Sequence, residues 1–281
     1  MNKIFDIHRL LITLRWDLLV YWKKYVRNVL GLSFAFAFIC IVQQYNWHET
    51  TPTQQMQLID VYLGNISGTF FLVGFLLFLI CGASIFNNMR TKQSRATFLM
   101  LPASNLEKFV ARFLWVTVGC LVMLVASLLI TDAIQYMFSL FITPHMHGSL
   151  TVSLFENIFS SRSSDSSNVI VVNGHSMLSN QFPMWPWVIS SFVYCHSFFT
   201  LGGSIFRKYT VILTVVSSFI LIFLLVVVVD PKFIAYIVKD LGPYKTGYAL
   251  IVLFILLGVF NYWLSYKLFT RMQVINNKWL N

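Results

Sequence analysis

The sequence predicts an all-α integral membrane protein with six transmembrane helices, and three observations carry that prediction. Charge is scarce: 20 Lys and Arg with 10 Asp and Glu make up 11% of 281 residues, where a soluble chain carries about a quarter. Apolar types reach 57% and aromatics 17%, with a mean hydropathy of +0.72. The charges also avoid six stretches altogether: 28–45, 63–86, 113–131, 187–206, 210–229 and 248–266. Each comes close to the roughly 20 residues that carry a helix across about 30 Å of hydrocarbon. The apolar content excludes a disordered chain, and four Cys in this length exclude a disulfide-stapled module.

With six alternating spans, the segments 1–27, 87–112, 207–209 and 267–281 share one side and hold 16 of the 20 basic residues. The opposite side holds Arg162, Lys232, Lys239 and Lys245, together with seven of the ten acids. The positive-inside rule then makes both termini cytoplasmic. The net charge of +10 is a topology signal, and no nucleic-acid partner is expected. No cleavable signal peptide is expected either, because Asp6 and Asp17 interrupt the N-terminal stretch. Cys40, Cys81, Cys120 and Cys195 lie within spans and read as small packing residues.

Taken in order, residues 1–27 place Ile4, Ile7, Leu11, Leu14, Leu18, Trp22 and Tyr25 at helical spacing, opposite Asp6, Arg9, Asp17, Lys24 and Arg27. That pattern predicts an amphipathic helix lying in the membrane interface before the chain turns into span one. Gly64 and Gly68 in span two permit close helix approach. In the segment 87–112, Pro102 disfavours helix at Leu101. Ser104 and Glu107 then fit a capping box for a new helix running into span three. The expected element is helix, break, helix. Residues 132–186 form an external loop, with Val169–Val172 and Asn173-Gly174 suited to a β-hairpin arm. Span four is the most polar, with Ser190, Ser191, Tyr194, His196 and Ser197, and is expected to face the bundle interior, a neighbouring subunit or a cavity. A tight turn at Arg207-Lys208-Tyr209 joins it to the aliphatic span five, and residues 230–247 form a last outer loop.

Catalytic chemistry finds no support. The chain has no phosphate-binding G-x-x-x-x-G-K-[ST], no H-E-x-x-H, no G-x-S-x-G and no C-x-x-C. No Asp or Glu lies deep in a span, which counts against a proton-coupled carrier. His145, His147 and His175 supply imidazoles on the external loop, but their spacing is too common to predict a metal. The expectation is a non-enzyme without metal or cofactor.

The run Phe98-Leu99-Met100-Leu101-Pro102-Ala103-Ser104-Asn105-Leu106-Glu107-Lys108-Phe109 resembles the F-x-x-L-P-x-S-x-x-E pattern after span two of bacterial type-2 ABC exporter permeases. Gly203-Ser204-Ile205-Phe206-Arg207-Lys208-Tyr209 with Thr214 is similar to their junction between spans four and five. The resemblance implies a single permease domain over 1–281 in the bacterial plasma (inner) membrane. It would be half of a homo- or heterodimer with a second permease subunit, driven by a separate ABC ATPase subunit. Segment 87–112 would be the coupling element, with Arg90, Lys92, Arg95, Leu101, Pro102, Ser104, Glu107 and Lys108 as its contact residues. Arg90, Lys92 and Arg95 suit either an acidic partner surface or anionic membrane lipids. Ser190, Ser191, Tyr194, His196 and Ser197 would line the substrate route. The alternative is a non-transporting membrane scaffold or accessory subunit.

Overall fold

A computed structural model describes residues 5–46, 51–89, 91–142, 148–160, 169–172, 175–178, 184–206, 208–228 and 231–271. Helices dominate. They are α1 (Ile7–Asn46), α2 (Pro52–Ala83), α3 (Lys92–Leu99), α4 (Asn105–Leu114), α5 (Cys120–Ile142), α6 (Leu150–Ser160), α7 (Met184–Ile205), α8 (Thr210–Val228) and α9 (Pro231–Thr270). A 3-10 turn at Asn87–Met89 precedes α3, and a π turn at Trp115–Gly119 joins α4 to α5 without ending the helical path. Five helices are long and apolar enough to cross a membrane: Ile7–Asn46, Leu58–Met89, Asn105–Ile142, Trp185–Ile205 and Lys245–Thr270. The sixth expected span, 210–229, is the 19-residue α8, whose apolar stretch Thr210–Leu224 is shorter than the other five.

Three expectations change. The interfacial helix 1–27 and span one are a single 40-residue helix, about 60 Å long, with no turn between them. Its sequence contains no Pro and only Gly31, so nothing stops it. In its first part Ile7, Leu11, Leu18 and Trp22 are exposed, as are Ile12, Leu19, Lys24 and Arg27, while Thr13 and Asp17 are buried. The segment expected as a loop over 132–186 is helical from its start, because α5 continues to Ile142 through residues that include no breaker. Residues 230–247 are not a loop: α9 starts with Pro231 at its first helical position, where the missing amide costs nothing. It kinks at Gly242, whose φ of 75° only glycine adopts easily. The β-hairpin arm is present, with Val169–Val172 antiparallel to His175–Leu178 and Val172 opposite His175.

The chain folds as two compact units. The first comprises Met1–Leu14, Leu79–Val116 and Ser166–Asn281. Within it α7 lies along α9 and against α8. Two glycines make the close approaches: any side chain at Gly202 would run into Thr214 of α8, and any at Gly203 into the carbonyl of Ala83. By contrast Gly64 and Gly68 have no other part of the chain within 4 Å of a would-be Cβ. Among the described residues a side chain at either position would meet nothing. Before α8, Tyr209 lies in the left-handed region at φ 54°, while Arg207 of the expected turn lies outside the described residues.

The second unit comprises Arg15–Phe78 and Thr117–Asp165. Its core gathers Phe36, Cys40, Tyr62, Leu63, Ile66, Phe70, Leu128, Leu150 and Leu154, with the Phe36 and Phe70 rings 4.7 Å apart. Ser33 of α1 donates to the Ser127 carbonyl of α5, and Thr131 of α5 donates to the Ser33 carbonyl, both at 3.3 Å. Small hydroxyl residues thus bring α1 and α5 together. Asp132 near the middle of α5 holds the start of α6, accepting from the Ser149 hydroxyl (2.7 Å), the Leu150 amide (2.7 Å) and the Thr151 hydroxyl (2.7 Å).

Candidate functional site

The segment 87–112 forms the helix–break–helix that its sequence predicts. Thr91 caps α3 by accepting the Ser94 amide at 3.1 Å. The helix ends at Leu99, and a bend at Leu101–Ala103 carries the chain round Pro102. Ser104 then opens α4 with a complete capping box: its hydroxyl accepts the Glu107 amide at 3.2 Å, and its amide donates to Glu107 Oε2 at 2.7 Å.

Glu107 does more than cap. Its side chain is fully buried, and Oε1 accepts the Asp6 amide at 2.7 Å and Arg9 Nη2 at 3.1 Å. One carboxylate therefore fastens the start of α1 to the break. It sits in the polar first turn of α4, ahead of the charge-free stretch 113–131. Burial pushes its pKa up, but the Ser104 and Asp6 amides and the Arg9 guanidinium outweigh burial and hold the carboxyl below its ordinary value.

Three neighbouring cations point inward. Lys108 Nζ donates to the Leu99 carbonyl at 2.6 Å, at the C-terminus of α3. Arg95 Nε donates to the Met89 carbonyl at 3.4 Å, in the 3-10 turn. Arg112 Nε donates to the Ile85 carbonyl at 3.2 Å, just past the end of α2, and its guanidinium lies 6.0 Å from the Phe98 ring centre. Each cation meets a carbonyl that a helix end leaves without an intrahelical partner. All three side chains are buried.

Beneath the break lies an aromatic layer. Phe86 and Phe269 stack at 5.2 Å with their planes 2° apart, and Phe98 (6.5 Å) and Phe109 (6.0 Å) flank Phe269. Phe109 also meets Tyr266 edge-on at 5.4 Å, and one turn further Phe113 meets Tyr262 at 5.0 Å. The Tyr262 hydroxyl lies 2.8 Å from His196 Nδ1 of α7. Aromatic rings thus connect α4 to the C-terminal half of α9, and through Tyr262 to α7.

Of the predicted contact residues, Arg95, Glu107 and Lys108 are spent inside the element, Leu101 and Ser104 are half-buried, and Lys92 and Pro102 are exposed. Arg90 lies outside the described residues. The outward surface of the break is Thr91, Lys92, Gln93, Met100, Pro102 and Asn105, with Met100 80% exposed.

The predicted route residues on span four also turn inward. Ser190 and Ser191 donate to the Trp187 carbonyl, and Ser197 donates to the Tyr194 carbonyl while accepting Asn261 Nδ2 at 3.2 Å. Tyr194 stacks on Phe254 at 5.3 Å. His196 is 2% exposed and packs where Gly82 leaves room for its ring. Ser190, His196 and Ser197 are buried within the first unit, and Ser191 and Tyr194 are half-buried. Among the described residues no three His, Cys, Asp or Glu side chains gather as a metal site. His145 and His147 lie outside the described residues, and His175 is described only by its place in the second strand.

The Asp6–Glu107 and Arg9–Glu107 links went unread in the sequence, since no local pattern signals a contact across 101 residues. The chain matches no protein-family model, no curated protein and no solved structure.

Proposed function

We propose that the chain is the membrane-spanning permease subunit of an ATP-driven ABC exporter in a bacterial plasma membrane, with both termini cytoplasmic. It pairs with a second permease subunit and takes its energy from a separate ATPase subunit that docks on segment 87–112. The observation that carries this reading is the construction of that segment. Its tip offers Lys92, Met100 and Pro102 outward, while its stem is locked by Glu107 to α1 and by the aromatic layer to α9. A push on such a tip reaches two long helices without being absorbed in a flexible loop. Exposed apolar side chains along α8, among them Phe219, Phe223 and Val226, suit a lipid-facing helix.

The test is co-purification from the native membrane. An ATPase subunit with a phosphate-binding loop is expected to accompany the wild-type chain. Lys92→Glu with Met100→Asp is expected to lose it while keeping membrane insertion and thermal stability. A chain that purifies from its native membrane without any ATPase subunit overturns the reading and favours the scaffold.

A further inference from the structure

The second unit leaves one side of α1 bare. Ser33, Phe36, Ala37 and Cys40 turn inward and are buried, whereas Leu30, Phe34 and Phe38 are exposed, at 42%, 62% and 67%. Steps of four residues keep those three on one side of a helix. Arg27 and Lys23 continue the same side towards the N-terminus, and both are exposed. An apolar stripe and two cations thus form one continuous surface, with its border between Arg27 and Leu30. Lys24 and Trp22, also exposed, stand at the height of the cations. Among the described residues none of Lys23, Lys24 and Arg27 has an ion pair. The acid of this stretch, Asp17, is 2% exposed and accepts from the Tyr25 hydroxyl at 3.4 Å, so the outer surface is purely basic.

We propose that this face of α1 seats an anionic phospholipid of the leaflet nearer the N-terminus. Lys23 and Arg27 hold its phosphate, and its acyl chains lie along Leu30, Phe34 and Phe38. The dimensions fit: Arg27 to Phe38 covers about 16 Å of helix, and one leaflet is about half of the roughly 30 Å of hydrocarbon. Trp22 stands at the headgroup level, where amphipathic rings gather. Tyr45, 62% exposed, lies about 27 Å beyond Arg27 and marks the far border in the same way. Charge selects the class of lipid. A zwitterionic headgroup brings no net charge to three cations, whereas an anionic one supplies the counter-charge they lack. The seat is drawn from one unit and needs no partner subunit, so it stands apart from the transport reading.

Photo-crosslinking of the full chain tests it, with Phe34 replaced by p-benzoylphenylalanine and the protein held in nanodiscs of equal phosphatidylglycerol and phosphatidylcholine. Mass spectrometry after irradiation is expected to find phosphatidylglycerol adducts severalfold in excess of phosphatidylcholine adducts. Adding Lys23→Gln, Lys24→Gln and Arg27→Gln is expected to bring the two into the bilayer ratio. Lys92→Gln, a cation removed from the other unit, is expected to leave the excess unchanged. Equal adducts of the two lipids on the chain with all three cations, or no lipid adduct at all, overturn the proposal. An excess that survives the triple substitution does so as well. Irradiation in the native membrane separates lipid from protein: a crosslink from this position to a second protein chain assigns the face to a subunit and overturns the lipid seat.

Discussion

Glu107 Oε1 stands 2.7 Å from the amide of Asp6 and 3.1 Å from Nη2 of Arg9, so a single buried oxygen joins the beginning of α1 to the beginning of α4. The other oxygen closes the capping box on Ser104. Glu107→Ala removes both functions at once. Charge-assisted bonds of this kind contribute about 1.5–3 kcal/mol each at best and are not additive, so a loss of about 2–3 kcal/mol is expected. Arg9 is 39% exposed at its side chain, and Arg9→Ala is expected to cost no more than about 1 kcal/mol. Thermal unfolding of the purified chain measures both. Protease cleavage near the N-terminus is expected to accelerate in the Glu107 variant first.

The same carboxylate sets a pH dependence. Its pKa in the folded chain lies below the ordinary carboxylate value, so its contribution is complete above about pH 4.3 and is lost as the pH falls through the folded value. N-terminal proteolysis is expected to stay flat from neutral pH down to about pH 5 and to rise only below the ordinary carboxylate range. Glu107→Gln is expected to show raised cleavage at neutral pH and to lose the acid-triggered increase. A wild-type rise already near pH 6 would assign the dependence to a different group.

Local signals in the sequence were strong at this site and blind to what lay across it. Leu101-Pro102 and the Ser104–Glu107 spacing gave the break and the box because both act within four residues. Arg95 and Lys108 read as outward contact residues and Arg112 carried no signal, since nothing in their order says that carbonyls of Met89, Leu99 and Ile85 wait nearby. The charge-free stretches located the apolar helices but not their ends. A helix continues through charged residues as readily as through apolar ones, so α1 and α5 overran their expected limits. The polar stripe Ser127, Thr131, Gln135 and Ser139 repeats every fourth residue of α5 and was legible in principle.

Lys108 tests the inward reading of the basic residues. Its ammonium closes the C-terminus of α3 on the Leu99 carbonyl, so Lys108→Met keeps the stem's length and removes the cap. A loss of about 1–2 kcal/mol is expected, concentrated in α3. Hydrogen exchange over Lys92–Leu99 is expected to quicken several-fold, with the amides of α9 unaffected. Lys108→Arg restores the donor and is expected to recover most of the protection.

Glycines on α7 and α2 separate a close approach from a coincidental motif. Gly203→Ala drives a methyl group into the backbone carbonyl of Ala83, which cannot rotate away. A shift of one helix against the other is required, with an expected loss of about 1–3 kcal/mol. Gly64→Ala and Gly68→Ala meet nothing within 4 Å and lower the entropy of the unfolded chain. They are expected to be neutral or to stabilise by up to about 1 kcal/mol. Melting temperatures of the three variants in one detergent decide the matter, and the prediction fails if Gly68→Ala is the most damaging.

Asp132 ties α6 to α5 through four donors, adding the Thr151 amide at 3.3 Å to the three shorter bonds from Ser149, Leu150 and Thr151. Those amides belong to the first turn of α6, where no intrahelical acceptor exists and a negative charge faces the positive end of the helix. An 11-residue helix is too short to persist by propensity alone, so its folding depends on this anchor and on the burial of Leu150 and Leu154. Asp132→Ala leaves the Leu150 amide and the hydroxyls of Ser149 and Thr151 without their acceptor. Hydrogen exchange over Leu150–Ser160 is expected to rise towards that of an unfolded segment. Asp132→Asn keeps one acceptor oxygen but loses the charge, so an intermediate rate is expected. Rates in both variants equal to that of the unmodified protein would show that burial of Leu150 and Leu154, rather than the carboxylate, decides whether α6 forms.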